Sequence, residues 1–136
     1  MAQLTTIAKM YNDLINGLEG VVERKFIFPQ RPDIKEADLD AMPKYIVVEI
    51  PVTISDMAAG NHKFHLTTTG VFYLISKAKK NMTYNVNSLS DFTEEVTDRF
   101  PIRGEYIAAT NPSVLSTGVD EYGYQIVTVT FDIHNK

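Results

Sequence analysis

Histidine offers the widest chemistry of the residue types in this sequence, because imidazole can bind a metal ion or move a proton near neutral pH. The chain has three histidines: His62 and His65 are three positions apart around the start of a predicted strand, and His134 stands near the last residue. On a strand, an odd separation sends side chains to opposite faces, so the first two would meet at one ion only across a turn. The chain has no cysteine to supply thiolate ligands. This pattern favours exposed histidines without a metal, and we expect no cofactor.

Carboxylates and serines are the second source of possible chemistry. Glu94, Glu95 and Asp98 lie together on a predicted helix. A hydrolase needs two carboxylates that converge across a cleft and have separate pKa values, whereas an acidic group along one helix is typical of a solvated face. There is no Gly-x-Ser-x-Gly nucleophile motif, and the glycines form neither a dinucleotide fingerprint nor a phosphate-binding loop. These patterns predict a protein that is not an enzyme.

Aromatic and basic residues outside the predicted core are the candidates for contacts with another protein. Aromatic side chains in loops often mark protein–protein contacts, although they can equally close the ends of a sheet. The lysine cluster after the long second strand fits either a solvated loop or a contact with an acidic partner. The candidate contact residues are Phe26, Phe28, Arg31, Met57, Lys77, Lys79 and Lys80.

Length and composition limit the architecture that positions these residues. A chain of 136 residues with 44% apolar residues is expected to form one domain over residues 1–136. The formal net charge of −4 argues against a general phosphate-binding surface. The sequence has no apolar run near the roughly 20 residues that cross a bilayer, and it starts without a secretory pattern, so we expect no membrane partner.

Hydrophobic periodicity predicts the secondary structure. Asn111-Pro112, Gly118 and Gly123 are typical of a loop, so the link between the last two strands is predicted to be irregular. The predicted elements are a helix over 4–18, a short strand within 21–28, strands over 45–54 and 63–77, a helix over 88–100, and strands over 105–109 and 124–134. The expected fold class is α+β, with a mainly antiparallel sheet of about four strands packed against two helices in the order α-β-β-α-β-β.

Several segments resemble phage tail terminator proteins of the lambda-like kind and the related tail-completion, or neck, proteins. The resemblance covers the N-terminal helix, the helix that ends near Phe100, the Gly104-Glu105-Tyr106 segment and the threonine-rich last strand. It also covers the Arg31-Pro32 loop, which leads through Asp40 and Met42-Pro43 into Tyr45-Ile46-Val47-Val48. The resemblance is one of order and spacing, and it contains no catalytic signature.

This resemblance implies a structural role in the virion of a tailed phage, in its tail or neck, with synthesis in the host cytoplasm. Such proteins form homo-oligomeric rings, commonly hexamers, that cap the tail tube and join it to head-completion or connector proteins. A globule of 136 residues has a radius of gyration of roughly 14 Å, so six in a ring would leave a lumen through which DNA passes without specific binding.

A binding module without catalysis is the alternative function. In that interpretation, the threonine-rich face of the long second strand, with Thr67, Thr69 and Tyr73, forms the wall of a pocket for a small molecule or a peptide. A ligand that raises the melting temperature would favour this alternative over a structural subunit.

Overall fold

The computed structural model describes residues 7–22, 24–28, 44–50, 67–79, 81, 83–120 and 123–135. About half of these residues are in β-strands. The elements within them are α1 (Ile7–Gly17), β1 (Lys25–Ile27), β2 (Lys44–Glu49), β3 (Thr67–Lys77), α2 (Val86–Thr97), β4 (Ile102–Arg103), β5 (Ile107–Val119) and β6 (Tyr124–Asn135).

The helices form where apolar residues recur at helical spacing. In α1, Met10 and Leu14 are buried on one stripe, four residues apart. In α2, Phe92 and Val96 form the equivalent pair. Asn85 caps the start of α2, because its side-chain oxygen accepts a hydrogen bond from the backbone N–H of Ser88 at 3.3 Å. Neither described helix has the length and apolar character needed to cross a bilayer.

The strands form one curled, half-barrel sheet in the order β1-β2-β3-β6-β5-β4. β1 runs parallel to β2, and the other neighbouring strands are antiparallel. The long central pair, β3 and β6, stays in register from Thr67 opposite His134 to Lys77 opposite Tyr124. This pair is the frame from which the other strands extend to the two edges of the sheet.

Both faces of the sheet carry apolar clusters, because side chains alternate along each strand. Phe72 and Leu74 of β3 point to the face that packs against α1 and α2. Ile75 points to the opposite face, where Tyr73 packs against its cluster and where Tyr124 is completely buried. The cluster on the helix-bearing face is the larger, and it holds the main core of the protein.

The predicted fold class is wrong in strand number, sheet type and order. The sheet has six strands rather than about four, and the parallel pairing of β1 with β2 makes it mixed. β1 and β4 have only three and two residues, too few for side-chain alternation to be visible in the sequence. The observed order is α-β-β-β-α-β-β-β.

The largest local error concerns the second half of β5, where a loop was predicted. Loop-forming residues do occur there, but they lie at two irregular points inside a continuous strand. Asn111 has a φ of +58° and Gly118 a φ of +124°, and the pairing with β6 shifts register at both places. A β-bulge absorbs such residues without ending the strand, so loop signals and strand structure coexist.

Candidate assembly surface

β5 changes character along its length. From Ile107 to Thr110 its residues are buried or half-buried between β4 and β6. From residue 111 to residue 117 every residue is exposed, whichever face of the strand it is on. Val114 and Leu115 lie in this exposed run, with 48% and 66% of their surface accessible. Two adjacent apolar residues therefore project from opposite faces of a solvent-exposed strand.

A tight turn into β6 fixes the far end of this strand. The backbone N–H of Asp120 donates to the carbonyl oxygen of Tyr124 at 2.8 Å, and the backbone N–H of Tyr124 donates to Oδ1 of Asp120 at 2.9 Å. Gly123, with a φ of +86°, adopts the left-handed backbone that this turn requires. Because the Tyr124 side chain is fully buried, the exposed run is attached at its far end to the core of the sheet.

The two bulges leave a short regular run between them, which we call the β5 window, residues 113–116. Its pairing with β6 extends from Ser113 opposite Thr130 to Ser116 opposite Val127. The first bulge is held by Asn111, whose Nδ2 donates to Oδ2 of Asp132 at 3.0 Å. The window is thus a straight four-residue segment with a fixed position on β6.

The outer edge of the β5 window has no strand partner within the described part of the chain. β4 pairs with β5 only at Ala108 and Ala109, several residues before the window. Soluble proteins protect exposed edges with charged residues, prolines or β-bulges. β5 has no charged residue from Ile107 to Val119, and its proline, Pro112, and its two bulges lie outside the window. Free backbone groups beside exposed apolar side chains are the features that accept an added strand.

The opposite edge of the sheet is formed by β1, which in the described residues pairs only with β2. Ile27 is 40% exposed and Phe28 is 38% exposed. The strand continues into Phe28, whose backbone N–H donates to the carbonyl oxygen of Val48 at 2.8 Å. The ring of Phe28 stacks on Tyr73, with 6.0 Å between ring centroids. Both edges of this sheet therefore expose apolar side chains.

The predicted contact residues are divided between two places. Phe26 and Phe28 lie together at the β1 edge, where Phe26 is half-buried and meets Tyr45 edge-on at 5.7 Å. Lys77 and Lys79 are exposed at and just after the end of β3, in the middle of the sheet. The other three predicted residues lie outside the described part of the chain: Arg31, Met57 and Lys80.

Sequence reasoning missed Val114 and Leu115. The signal that could have identified them is the absence of any charged residue between Ile107 and Val119. A surface loop of that length normally contains charged residues, so an uncharged stretch that ends in a turn favours a strand over a loop.

Another surface feature is a cleft of about 610 Å³ where the start of α2 meets β2 and the end of β3. Lys44 lies in it, with Nζ 3.6 Å from Oε2 of Glu95 and 5.1 Å from the centroid of the Phe92 ring. Lys77 and Asp91 also line the cleft. Because the side chains include both charges and Lys44 is already paired with Glu95, the cleft has no strong preference for ligands of one charge.

The predicted pocket wall on β3 does not take part in this cleft. The Tyr73 hydroxyl donates to Oε1 of Glu49 at 2.7 Å, and the Tyr73 ring is stacked on Phe28. Thr69 is exposed, and the side chain of Thr67 lies outside the described residues. A ligand pocket on this face therefore stays a prediction. In the part of the chain that the structure describes, histidine and acidic residues form no group of three that could hold a metal ion.

Asp13 of α1 anchors the beginning of β5. Its side chain is buried and accepts backbone N–H groups from Glu105 at 3.2 Å, Tyr106 at 2.8 Å and Ile107 at 3.1 Å. Gly104 precedes these residues, and a Cβ there would overlap the Asp13 carboxylate. Hydrogen bonds to a carboxylate are stronger than those between neutral groups, so Asp13 ties the base of the exposed strand to the helical layer.

Comparison with known proteins identifies the fold and goes no further. No protein family model matches the chain, and no curated protein matches its sequence. Fifteen chains of solved structures match the fold. One of them, whose name is an identifier without a stated function, has a TM-score of 0.60 and 15% sequence identity. The match covers 95% of this chain and 92% of that chain, so the whole architecture is shared.

Proposed function

We propose that this protein is a non-catalytic structural subunit that assembles with copies of itself, using the β5 window as a contact edge. The observation that supports this most strongly is the run from residue 111 to residue 117, where β5 remains a strand although every residue is exposed to solvent. A strand exposed on both faces adds little to the core of its own chain. Its uncharged composition is explained if another polypeptide covers it.

Covering the window favours association for two reasons. Another strand could satisfy the free backbone groups along its outer edge. Val114 and Leu115 are 48% and 66% exposed, so burying the rest of each side chain contributes about 1–2 kcal/mol. These gains oppose the loss of translational and rotational freedom, which costs several kcal/mol. The two apolar side chains and the backbone ladder are therefore needed together.

The more specific proposal is a ring-forming tail terminator or neck subunit of a tailed phage. It is supported by the resemblance of the segments around Arg31-Pro32, Tyr45-Ile46-Val47-Val48 and Gly104-Glu105-Tyr106 to that family. In this role the partners are further copies in a ring, with six as the expected number, the tail tube, and head-completion or connector proteins. DNA would pass through the lumen without specific binding, a passage that the net charge of −4 favours.

Sedimentation velocity over a range of protein concentrations tests the assembly proposal. The unchanged protein should sediment as an oligomer, alone or when mixed with purified tail tube, whereas Leu115→Glu should stay monomeric. Val86→Glu is the matched control, because Val86 at the start of α2 is also 66% exposed. Circular dichroism should be the same for all three proteins.

Two outcomes would contradict the proposal. One is an unchanged protein that stays monomeric at every concentration and does not bind a tail tube. The other is a Leu115→Glu variant that assembles as well as the Val86→Glu control. A terminator or neck role further requires that the assembled ring bind tail-tube ends in electron micrographs. Rings that do not bind tail tubes would support self-assembly and contradict the phage assignment.

A further inference from the structure

The sheet exposes an apolar patch at each of its two edges. Ile27 and Phe28 form one patch, beside β1, and Val114 and Leu115 form the other, in the β5 window. We infer that the β5 window of one copy pairs with the β1 edge of the next copy, head to tail, so that the sheet continues across subunits. This inference rests on the proposed self-assembly and specifies which surfaces meet. The alternative pairing, β5 with β5, would leave the β1 patch exposed.

The two edges match in length. The window has four regular residues between its bulges, from Ser113 to Ser116. β1 has three residues, Lys25–Ile27, and its hydrogen bonding continues through Phe28. A bulge interrupts the regular ladder, so the four regular residues of the window can pair with residues 25–28.

The two patches also match in the face of the sheet on which each side chain lies. Val114 lies opposite Val129, which belongs to the core cluster on the helix-bearing face. Ile27 lies opposite Val48, which belongs to the same cluster. Directly paired residues share a face of a sheet. Val114 and Ile27 are therefore both on the helix-bearing face.

The second pair of exposed side chains lies on the other face. Leu115 lies opposite Thr128, and Thr128 in turn lies opposite Tyr73. Phe28 stacks on Tyr73 and so belongs to that face as well. β1 and β5 run in opposite directions within one sheet, so a sheet that continues across copies with its faces preserved pairs them antiparallel. With Val114 directly opposite Ile27 on the helix-bearing face, Leu115 lies opposite Phe26 and diagonal to Phe28 on the other face.

Charge favours this pairing over β5 with β5. The window has no charged residue, but residues 104–135 contain no lysine or arginine, and the charged residues nearest to the window, Asp120 and Asp132, are acidic. β1 has Lys25, and the exposed Arg24 precedes it. Arg103 is the basic residue that immediately precedes this segment. It pairs with Ala108, which lies roughly 20 Å from Leu115 along an extended strand. Head-to-tail pairing joins opposite charges, whereas β5 with β5 joins like charges.

The pairing also determines the symmetry of the assembly. A contact between two different patches of the same chain repeats in one direction and gives either a ring or an open filament, whereas a contact of one patch with itself ends at a dimer. The curl of the sheet turns each added copy relative to the last, which favours closure over an open filament.

Cysteine cross-linking tests the inference directly, because the natural chain has no cysteine that could react. Single variants Val114→Cys and Ile27→Cys are mixed in equal amounts, oxidised mildly and separated on a non-reducing gel. The mixture should give a cross-linked dimer, whereas each variant alone should stay at the monomer position. The double variant should give a ladder that ends at the size of the ring. Replacing Ile27→Cys by Val86→Cys in the mixture is the control and should give no dimer.

The outcomes separate this inference from the proposed function. A dimer formed by Val114→Cys alone would show β5 pairing with β5 and overturn the inference, while self-assembly stands. An oligomer in sedimentation that gives no cross-link between positions 114 and 27 would overturn it in the same way. A chain that is monomeric under all conditions and forms no cross-link would overturn both the inference and the proposed function.

A charge reversal provides an independent measurement. Arg24→Glu should weaken assembly about fivefold at low salt, the size expected for an exposed ion pair, and the difference should shrink as salt screens the charges. Arg99→Glu, a change at another exposed arginine, is the control and should leave assembly unchanged. Equal effects of the two variants would mean that only the total charge matters, and the proposed edge contact would lose this support.

Discussion

The two halves of β5 belong to one strand but differ in nearly every physical respect. The first half, from Ile107 to Thr110, is covered by β4 and α1 and contributes Ile107 and Ala109 to the main core. The second half, from residue 111 to residue 117, is exposed on both faces and pairs only with β6 within the described residues. One end of a strand can therefore be fixed by folding while its other end stays accessible to another chain.

This division predicts that substitutions in the first half alter stability and that substitutions in the β5 window alter assembly. Unfolding is measured at a protein concentration where the chain is monomeric, because association would otherwise stabilise the folded state by mass action.

Ile107→Ala should have the largest effect. The Ile107 side chain is completely buried, and truncating such a residue to alanine lowers the free energy of unfolding by about 2–5 kcal/mol. Urea unfolding followed by tyrosine fluorescence gives the measurement, since the chain has seven tyrosines and no tryptophan. A loss below about 0.5 kcal/mol, the range of ordinary surface changes, would mean that the first half of β5 is not part of the core.

Asp13→Ala should come next, with a loss of about 2–3 kcal/mol, because backbone N–H groups of residues 105–107 would lose their acceptor. Asp91→Ala, at an exposed position of α2, is the matched control and should stay within about 0.5 kcal/mol. Urea unfolding compares the two. Equal losses would show that Asp13 acts through its charge rather than through its hydrogen bonds.

Gly118→Ala should lower the free energy of unfolding by about 1–2 kcal/mol. The φ of +124° is strained for any residue with a Cβ, although nothing lies within 4 Å of that position. Ser116→Ala, at the end of the window, is the control and should have little effect. Thermal unfolding distinguishes the variants. If Gly118→Ala were as stable as the control, the second bulge would not need the left-handed backbone.

Leu115→Ala should have the smallest effect on unfolding, within about 0.5 kcal/mol, because 66% of the side chain is exposed. The same change should shift the concentration at which copies associate to higher values, since it removes apolar area from the proposed contact. Analytical ultracentrifugation and urea unfolding on one preparation measure both quantities. A large loss of stability with unchanged association would reverse the roles assigned to the two halves.

Elements with strong local patterns could be predicted from the sequence. Met10 and Leu14, and likewise Phe92 and Val96, show helical spacing, and both helices are present near the predicted positions. β3 and β6 are long enough for alternation to be visible. The parallel pairing of β1 with β2 depends on contacts between segments distant in sequence, and no local pattern specifies those contacts.

The candidate site was harder to predict than the fold. Phe28 was chosen because it is an aromatic residue next to a proline, and it is exposed at a sheet edge. Leu115 was missed because Asn111-Pro112 and Gly118 are loop formers, and a bulged strand tolerates the same residues. Whether a glycine ends a strand or only bends it depends on the partner strand, which here is β6.

The two bulges of β5 have a consequence for the lifetime of the proposed contacts. A ladder of four residues offers few hydrogen bonds between copies, each contributing on the order of 1 kcal/mol net, so an isolated pair of copies separates quickly. A copy within a closed ring is held on both sides, and its escape requires two joints to open together. Incomplete rings therefore dissociate and complete rings persist, so incorrectly placed copies can dissociate before the ring closes.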